Sequence, residues 1–236
     1  MKTAVITGCN RGLGSGIRDI LLKNGFKVYG INRKEDYEIT NDSPSCINEN
    51  YETVCVDVSN GNEVKDKCML LPKHIDLLVL NAGIRRFSEI ENMEDKDWEE
   101  SVKTNLNGVF YVTKHLIPNI IKAKGDVIII GSHSEKYTFE TGAAYCSTKG
   151  ALKEFSEVLM QEVRYKDVRV SYLSLGSIKN RDHGIDEEWK LKPIEIGEAV
   201  YHLYSLPKNV MIPYLDVRPI KPLKDEKPGI EKLQYM

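Results

Sequence analysis

The sequence lacks long apolar runs and has no excess of either charge. No run reaches the length of about 20 residues that spans a bilayer, and the apolar start ends in a glycine turn too early for a signal peptide. The 33 basic and 35 acidic side chains leave a net charge of −2, with no clustered basic stripe. The charge balance therefore gives no support for nucleic-acid binding, and the short apolar runs give none for membrane insertion. We expect a cytoplasmic protein.

Cysteine is also scarce and follows no pattern. The five cysteines are odd in number and show no C-x-x-C spacing, which excludes a disulfide framework and a cysteine-based zinc site as first hypotheses. No metal site is predicted. We expect reduced thiols at Cys9, Cys46, Cys55, Cys68 and Cys146.

What the sequence does contain is an alternation of short, β-rich apolar runs with helical stretches. A chain of 236 residues can bury a substantial core in one domain. The alternation predicts the α/β class, as a single-domain Rossmann-type doubly wound parallel sheet of about seven strands with helices on both faces. We expect strands at residues 4–7, 27–31, 52–56, 77–80, 127–130, 168–173 and 210–217, and helices over 12–24, 60–71, 95–123, 143–164 and near 195–204.

A glycine turn follows the first predicted strand and precedes the first predicted helix. Gly8, Gly12 and Gly14 give the spacing T-G-x-x-x-G-x-G. Glycines let the backbone turn tightly and approach a pyrophosphate, and the helix N-terminus offers unpaired N–H groups. The segment therefore predicts a nucleotide cradle.

A tyrosine and a lysine stand four residues apart inside a predicted helix. Tyr145 and Lys149 would share one helix face, so the ammonium is expected to favour the phenolate and lower a pKa that is ordinarily about 10. Tyr204 and Lys208 repeat the spacing, but Pro207 between them makes a regular helical turn improbable there. The first pair is the candidate for acid–base chemistry.

From residue 1 to about residue 176 the chain resembles the short-chain dehydrogenase/reductase family in its compact form. The resemblance rests on the order of several short segments in addition to the glycine turn and the Tyr-Lys pair. These segments are Asp57-Val58 after the third strand, Asn81-Ala82-Gly83 after the fourth, Asn105 in a helix and Ser132 after the fifth strand.

The resemblance implies catalytic roles for four residues. Tyr145 would exchange a proton with the substrate oxygen, Lys149 would favour the phenolate and bind the nicotinamide ribose, and Ser132 would hold the carbonyl oxygen. Asn105 would help to seat a water that relays protons. The alternative for Ser132 is a strand-end hydroxyl bonded to backbone, and for Asn105 an ordinary polar residue of a helix.

The resemblance also implies a set of cofactor contacts. The glycine turn would bind the phosphates, Asp57 and Val58 would border the adenine ring, and Asn81 to Gly83 would border its ribose. Alternatively, Asp57 and the Asn-Ala-Gly segment could simply form turns without contacting a ligand. Of the Pro-Gly pair and threonine that commonly follow the sixth strand, only the glycine is present, as Gly176. Backbone near Ile178 and the side chain of Ser177 or Asn180 would therefore bind the carboxamide. The predicted cofactor-binding residues are Gly8, Asn10, Arg11, Gly12, Leu13, Gly14, Arg33, Asp57, Val58, Asn81, Ala82, Gly83, Tyr145, Lys149 and Ile178.

Charge at the end of the second strand indicates the type of cofactor. No carboxylate stands at the position that would bind the ribose hydroxyls of NAD(H). Arg33 and Lys34 instead supply cations there, and Arg11 in the glycine turn could reach the extra phosphate of NADP(H) from the other side. We therefore expect NADP(H), with NAD(H) the less favoured alternative. Two alternatives compete with this prediction. Arg33 could be a solvated loop charge, or Glu35 or Asp36 could be the ribose ligand.

Polar residues surround the expected substrate site. The segment 177–192 is short and charged, which favours a small polar substrate over a lipid. His133 after the catalytic serine is expected to be solvated or bonded to a loop. Arg85 and Arg86, which follow the Asn-Ala-Gly turn, are expected to be surface charges, with binding of an anionic substrate as the alternative. Cys146 is expected to be a small packing residue.

These observations predict an NADP(H)-dependent oxidoreductase that interconverts a secondary alcohol and a ketone or aldehyde by hydride transfer, with Tyr145 as general acid/base. The alternative is a non-catalytic NAD(P)-binding sensor or regulatory protein of the same fold. The partner would be a small-molecule carbonyl or alcohol. By analogy with the family, a homodimer or homotetramer is expected through the helices at 95–123 and 143–164, and the tail 220–236 is expected to be loosely ordered.

Overall fold

The computed structural model describes residues 1–33, 49–179 and 188–221. Lys34, Glu35, Asp36 and Cys46 therefore lie outside the described residues, as do 180–187 of the expected substrate segment and nearly all of the predicted tail. The other predicted site residues are all described.

Seven parallel strands form one sheet in the order β3-β2-β1-β4-β5-β6-β7. This confirms the predicted Rossmann-type fold. The last strand is shorter than expected and begins at Tyr214. Before it, the Val210 carbonyl accepts a hydrogen bond from the Arg169 side chain (2.9 Å), and the first backbone bond to β6 is accepted by the Pro213 carbonyl (2.8 Å). The strands are β1 Lys2–Thr7, β2 Phe26–Asn32, β3 Tyr51–Cys55, β4 Leu77–Leu80, β5 Asp126–Ile130, β6 Arg169–Leu175 and β7 Tyr214–Val217.

The helices lie close to their predicted positions, with one difference. The single helix expected over 95–123 is interrupted by a π-helical turn at Val102–Asn107. Within the described ranges, no helix is both long enough and apolar enough to cross a membrane. The helices are α1 Gly12–Lys23, α2 Gly61–Cys68, α3 Asp95–Ser101, α4 Gly108–Ala123, α5 Ala143–Val163 and α6 Pro193–Ser205.

Two apolar clusters cover the two faces of the sheet. Successive side chains of a strand point to opposite faces, and in β5 Val127 and Ile129 join one cluster while Ile128 and Ile130 join the other. Helices α2, α4 and α5 pack on the first face, and α1 and α6 on the second. Burial on both faces explains why the central strands are apolar without alternation.

The edge of the sheet where the strands begin is closed by a buried ion pair. The Arg169 guanidinium contacts both carboxylate oxygens of Asp126. It also donates to the carbonyl oxygens of Leu206 (3.1 Å) and Pro207 (3.2 Å), in the segment that follows α6. One arginine side chain therefore bonds several backbone acceptors at and after the end of α6.

The opposite edge, where the strands end, carries the predicted site residues. The strand order reverses between β1 and β4, because β2 and β3 lie on one side of β1 and the later strands lie on the other. In open α/β sheets this reversal opens a crevice at the carboxyl ends of the strands, which is where ligands bind.

Candidate active site

The glycine turn between β1 and α1 has the backbone that the sequence predicts. Gly8 and Gly12 have φ of +67° and +55°, a region that residues with a Cβ rarely adopt. A Cβ on Gly14 would overlap the carbonyl oxygen of Gly8. Arg11 precedes α1 and makes no side-chain cap bond, and the N-terminal end of the helix points at this turn. The turn therefore fits a pyrophosphate.

The ends of β1 and β4 hold this turn in place. The Asn81 side-chain amide donates to the carbonyl oxygens of Thr7 (3.0 Å) and Gly8 (2.8 Å). The Thr7 hydroxyl accepts the backbone N–H groups of Asn81 and Ala82, both at 2.9 Å. The Asn81 side chain is thus a structural tie across the crevice. Thr7 was not predicted, although a strand-end threonine directly before a glycine turn is a usable signal.

Asn32, at the end of β2, is a second residue that the sequence analysis missed. Its buried side-chain oxygen accepts the backbone N–H of Cys9 at 2.8 Å, and its amide nitrogen donates to the Tyr51 hydroxyl at 3.2 Å. The next residue, Arg33, has an exposed side chain, as does Arg11 in the turn. Asn32 therefore bonds the glycine turn to the end of β2. Arg11 follows in the turn and Arg33 follows β2, and both cations are exposed.

Asp57 forms a tight turn after β3. One of its carboxylate oxygens accepts the backbone N–H of Ser59 at 2.9 Å and the Ser59 hydroxyl at 2.8 Å. Val58 beside it is buried and faces Gly108 at the start of α4. Asp57 therefore forms a turn, as its alternative interpretation proposed. The turn follows β3, so Asp57 and Val58 both lie at the edge of the sheet where the strands end.

Asn105 joins three parts of the site from within the π-helical turn. Its side-chain oxygen accepts the backbone N–H of Ile84 at 2.7 Å, and its nitrogen donates to the Ile84 carbonyl at 2.9 Å and to the Thr148 hydroxyl at 3.1 Å. Asn105 is buried, so it is more than an ordinary polar helix residue. It connects the chain after β4 to the helix that carries Tyr145 and Lys149.

Tyr145 and Lys149 lie in the first turns of α5, and Ser132 faces them from the end of β5. The Ser132 hydroxyl lies close enough to the Tyr145 phenol to act on its pKa. The buried Lys149 amine lies 5.8 Å from the centre of the Tyr145 ring and donates to the Ile130 carbonyl at 2.8 Å. Ser132 also accepts the Ser134 backbone N–H at 3.3 Å, so its hydroxyl serves both the loop and the phenol.

The direction of the Tyr145 pKa differs from the expectation. Burial raises the pKa of the phenol, while the hydrogen bond from Ser132 and the charge of Arg85 oppose this rise. Burial also lowers the pKa of Lys149 to about 8. The expected lowering is wrong for this structure, because burial is the largest cause of the shift and the Lys149 amine donates to the Ile130 carbonyl. The resting phenol is neutral.

The loop after Ser132 is bonded to the last strand. His133 is buried, and its Nε2 lies 2.5 Å from a carboxylate oxygen of Asp216 in β7. Arg218 donates to the same carboxylate and is the main reason why the pKa of Asp216 lies below its ordinary value. The sequence could not supply this partner for His133, since 83 positions separate the two residues.

The second Tyr-Lys pair lies elsewhere. Tyr204 packs edge-on against Phe26, with ring centres 4.9 Å apart, and Lys208 bonds Asp126 at 3.0 Å. Asp126 begins β5, so this pair is at the edge opposite the ligand crevice. Helix α6 ends at Ser205, before Pro207, as the proline predicts.

Ile178 lies in an extended segment just beyond β6. It forms an isolated parallel bridge with Leu191, and the backbone N–H of Lys179 donates to the Leu191 carbonyl at 2.8 Å. Gly176 donates its N–H to the Val217 carbonyl at 2.9 Å. These bonds hold the chain at the carboxyl end of the sheet, on the side of the crevice nearest β7.

Comparison with known proteins assigns this arrangement to a family. The sequence model described as short chain dehydrogenase matches residues 2–188. The chain belongs to the short-chain dehydrogenase family. It is 32% identical over 210 residues to the 3-oxoacyl-acyl-carrier-protein reductase FabG of Chlamydia pneumoniae, with 84% of each chain covered.

Two further relatives of this short-chain dehydrogenase cover nearly the whole chain. The serine 3-dehydrogenase of Agrobacterium fabrum is 28% identical over 235 residues, which is 92% of this chain and 94% of the relative. An alcohol dehydrogenase of the archaeon Thermococcus sibiricus, solved in complex with 5-hydroxy-NADP, superposes with a TM-score of 0.82 at 28% identity and covers 93% of this chain and 97% of its own.

Proposed function

We propose that this short-chain dehydrogenase is an NADP(H)-dependent oxidoreductase that interconverts a secondary alcohol and a ketone or aldehyde on a small polar substrate. The observation that carries the proposal is the cluster at the start of α5, where Ser132 lies beside the neutral phenol of Tyr145 and a buried lysine amine lies 5.8 Å from the centre of its ring. A bound nicotinamide supplies or accepts the hydride in such a reaction.

The proton chemistry falls to Tyr145. A neutral phenol is ready to donate a proton to an oxygen that gains negative charge during reduction. Ser132 is placed to hold that oxygen against the phenol and to stabilise its charge. The pKa of Lys149 is about 8, so the amine is mainly charged at neutral pH and adds a positive potential beside the phenol. Reduction is thus the favoured direction near neutral pH, and oxidation should accelerate as the pH rises.

The residues at the crevice fit a dinucleotide. The turn from Gly8 to Gly14 and the start of α1 would hold the pyrophosphate, and Asp57, Val58 and the segment Asn81 to Gly83 would border the adenosine. Ile178 would contact the carboxamide, and Asn105 would support the site from behind. The exposed Arg11 and Arg33 support NADP(H) over NAD(H), and the NADP analogue bound to the archaeal alcohol dehydrogenase agrees with this choice.

The cofactor proposal is tested by titrating the purified protein with NADPH and NADH. NADPH should bind more tightly, and Arg33→Ala should reduce that preference by roughly tenfold, because a charge-assisted bond to the extra phosphate is lost. Arg164→Ala, which removes an exposed arginine far from the crevice, is the matched control and should change nothing. Equal affinity for the two cofactors would contradict the role of Arg33.

The reaction is tested by screening small carbonyl compounds and alcohols for a change in NADPH absorbance. Turnover of small polar carbonyls is the expected result. If NADPH binds and no compound is turned over, the alternative of a non-catalytic sensor gains support. A small hydroxylated amino acid is the substrate named for the serine 3-dehydrogenase relative, which supports small polar compounds as the first set to screen.

The cellular setting and the assembly belong to the same proposal. The four described cysteines are free thiols, which is consistent with the reducing conditions of a cytoplasm. We propose a homodimer or homotetramer, and the domain is proposed to be a single unit from residue 1 to residue 236.

A further inference from the structure

Residues 84–88, named here the β4 strap, cross the site directly after β4 and the turn Asn81 to Gly83. One end is fixed by Asn105, which bonds both backbone groups of Ile84. The other end is fixed by the Ser88 backbone N–H, which donates to the Thr141 carbonyl at 2.9 Å, two residues before α5 begins. The strap is therefore held between the π-helical turn and the helix of the Tyr-Lys pair.

The strap lies directly against the acid–base group. The Phe87 ring meets the Tyr145 ring edge-on with centres 5.8 Å apart, and it meets Phe139 in the same way at 5.4 Å. Arg85 stands two positions before Phe87 in the strap, and its side chain is exposed.

The two adjacent arginines of the strap differ in their contacts. Arg86 is engaged with acidic side chains of α3, at 3.0 Å from Asp97 and 3.1 Å from Glu100. Arg85 is exposed, and within the described part of the chain no hydrogen bond or ion pair is found for its side chain. The sequence analysis expected both to be surface charges; both are exposed, and only Arg86 is paired.

The positive charge of Arg85 affects the pKa values of both Tyr145 and Lys149. Burial is the main cause that lowers the pKa of Lys149; the negative charge of Glu135 opposes it, and the positive charge of Arg85 acts in the same direction as burial. Arg85 also opposes the rise in the pKa of Tyr145 that burial causes. A cation that influences both groups through space lies near the position where a substrate would meet them.

We propose that Arg85 is the substrate-recognition residue of this site and that it selects small substrates bearing a carboxylate. The proposal rests on the proposed function and adds the chemical class of its substrate. A guanidinium matches a carboxylate in a planar, bidentate geometry. Arg86 is already paired, so the strap offers one free cation, which suits a monoanionic carboxylate better than a dianionic phosphate.

The test compares hydroxy acids with their neutral amides in a complex that cannot react. Lactate, β-hydroxybutanoate, lactamide and β-hydroxybutanamide are titrated by calorimetry into the protein saturated with NADPH, where an alcohol has no hydride acceptor. The wild type should bind at least one acid roughly tenfold or more tightly than the matching amide, as expected for a charge-assisted pair. Arg85→Gln should abolish that preference without weakening amide binding.

Arg86→Gln is the matched control, since it removes the same charge from the neighbouring position. It should retain the preference for the acid. The proposal is overturned if the wild type does not distinguish acid from amide, if Arg85→Gln retains the preference, or if both variants lose it equally, which would indicate only a diffuse field. Because no turnover is measured, these results are distinguishable from a failure of the proposed reaction, which the NADPH screen reports.

Discussion

Lys149 is held at both ends by the sheet beneath it. Its amine donates to the Ile130 carbonyl at the end of β5, and its own carbonyl accepts the Tyr172 hydroxyl of β6 at 3.2 Å. Neither bond involves Tyr145. Two strands thus set the position of the lysine, and the phenol is positioned separately by Ser132 and Phe87.

Replacement of the phenol tests its role most directly. Tyr145→Phe removes only the hydroxyl that exchanges the proton, so turnover should fall by at least a hundredfold while NADPH affinity changes little. Turnover is measured with the best carbonyl from the screen, and affinity by titration. Tyr204→Phe is the control with the same chemical change in the second Tyr-Lys pair, and it should leave turnover intact. Activity in Tyr145→Phe close to wild type would remove this residue from the mechanism.

The buried amine of Lys149 should lower stability in a pH-dependent way. Its pKa is about 8 in the fold against 10.5 when exposed, so below pH 8 the folded state bears a penalty of about 3 kcal/mol for the buried charge. The unfolded chain holds more protons between these two values, and the penalty disappears as the pH rises through that window. Lys149→Met should therefore raise the free energy of unfolding at pH 7 by about 1–2 kcal/mol, after the loss of the bond to Ile130.

Urea unfolding at pH 7 and pH 10 measures this effect. The advantage of Lys149→Met should shrink or reverse at the higher pH. Lys122→Met on the exposed side of α4 is the control, because its amine stays in water in both states. An advantage of equal size at both pH values would show that burial of the charge is not its cause.

At the scale of the elements, the sequence predicts most of the architecture, since buried parallel strands are apolar on both faces and glycine and proline mark the helix ends. The π-helical turn could not be predicted from Val102–Asn107, because it depends on bonds from Asn105 to Ile84 and Thr148 that only the fold creates. The pKa of Tyr145 was mispredicted for a related reason. Spacing places Lys149 on the same face, but it does not show which carbonyl the amine meets.

The π-helical turn should affect chemistry as well as stability. Asn105→Ala leaves both backbone groups of Ile84 without their partners, which should cost about 1–3 kcal/mol of unfolding free energy, and it releases the β4 strap from α5. Turnover should therefore fall in the folded variant. The measurements are urea unfolding and kcat of the same preparation.

Asn119→Ala provides the comparison for this prediction. Asn119 is also buried, on α4, and its amide bonds the Pro72 carbonyl at 2.9 Å away from the crevice. The Asn119→Ala variant should have a lower free energy of unfolding and an unchanged kcat. If Asn105→Ala behaves in the same way, the turn is only structural.

For the whole molecule, apolar side chains on the outer surfaces of α3, α4 and α5 support self-association. Trp98, Phe110 and Val158 are 42%, 45% and 57% exposed. The double variant Phe110→Glu with Val158→Lys should lower the mass found by light scattering after gel filtration, because charges would be buried at the contact. Tyr165→Lys, which changes an exposed aromatic residue after α5, should leave the mass unchanged. A monomeric wild type at micromolar concentration would contradict the predicted oligomer.

The ion pair of Arg169 and Asp126 has a consequence for engineering. It lies where the strands begin, whereas the glycine turn, the Tyr-Lys pair and the β4 strap all lie where the strands end. Because a parallel sheet separates its two edges by the full length of the strands, substitutions around Arg169 can adjust heat resistance with little effect on substrate choice. Substitutions in the β4 strap should change substrate choice with little effect on heat resistance. The two properties can therefore be evolved in independent libraries and combined afterwards.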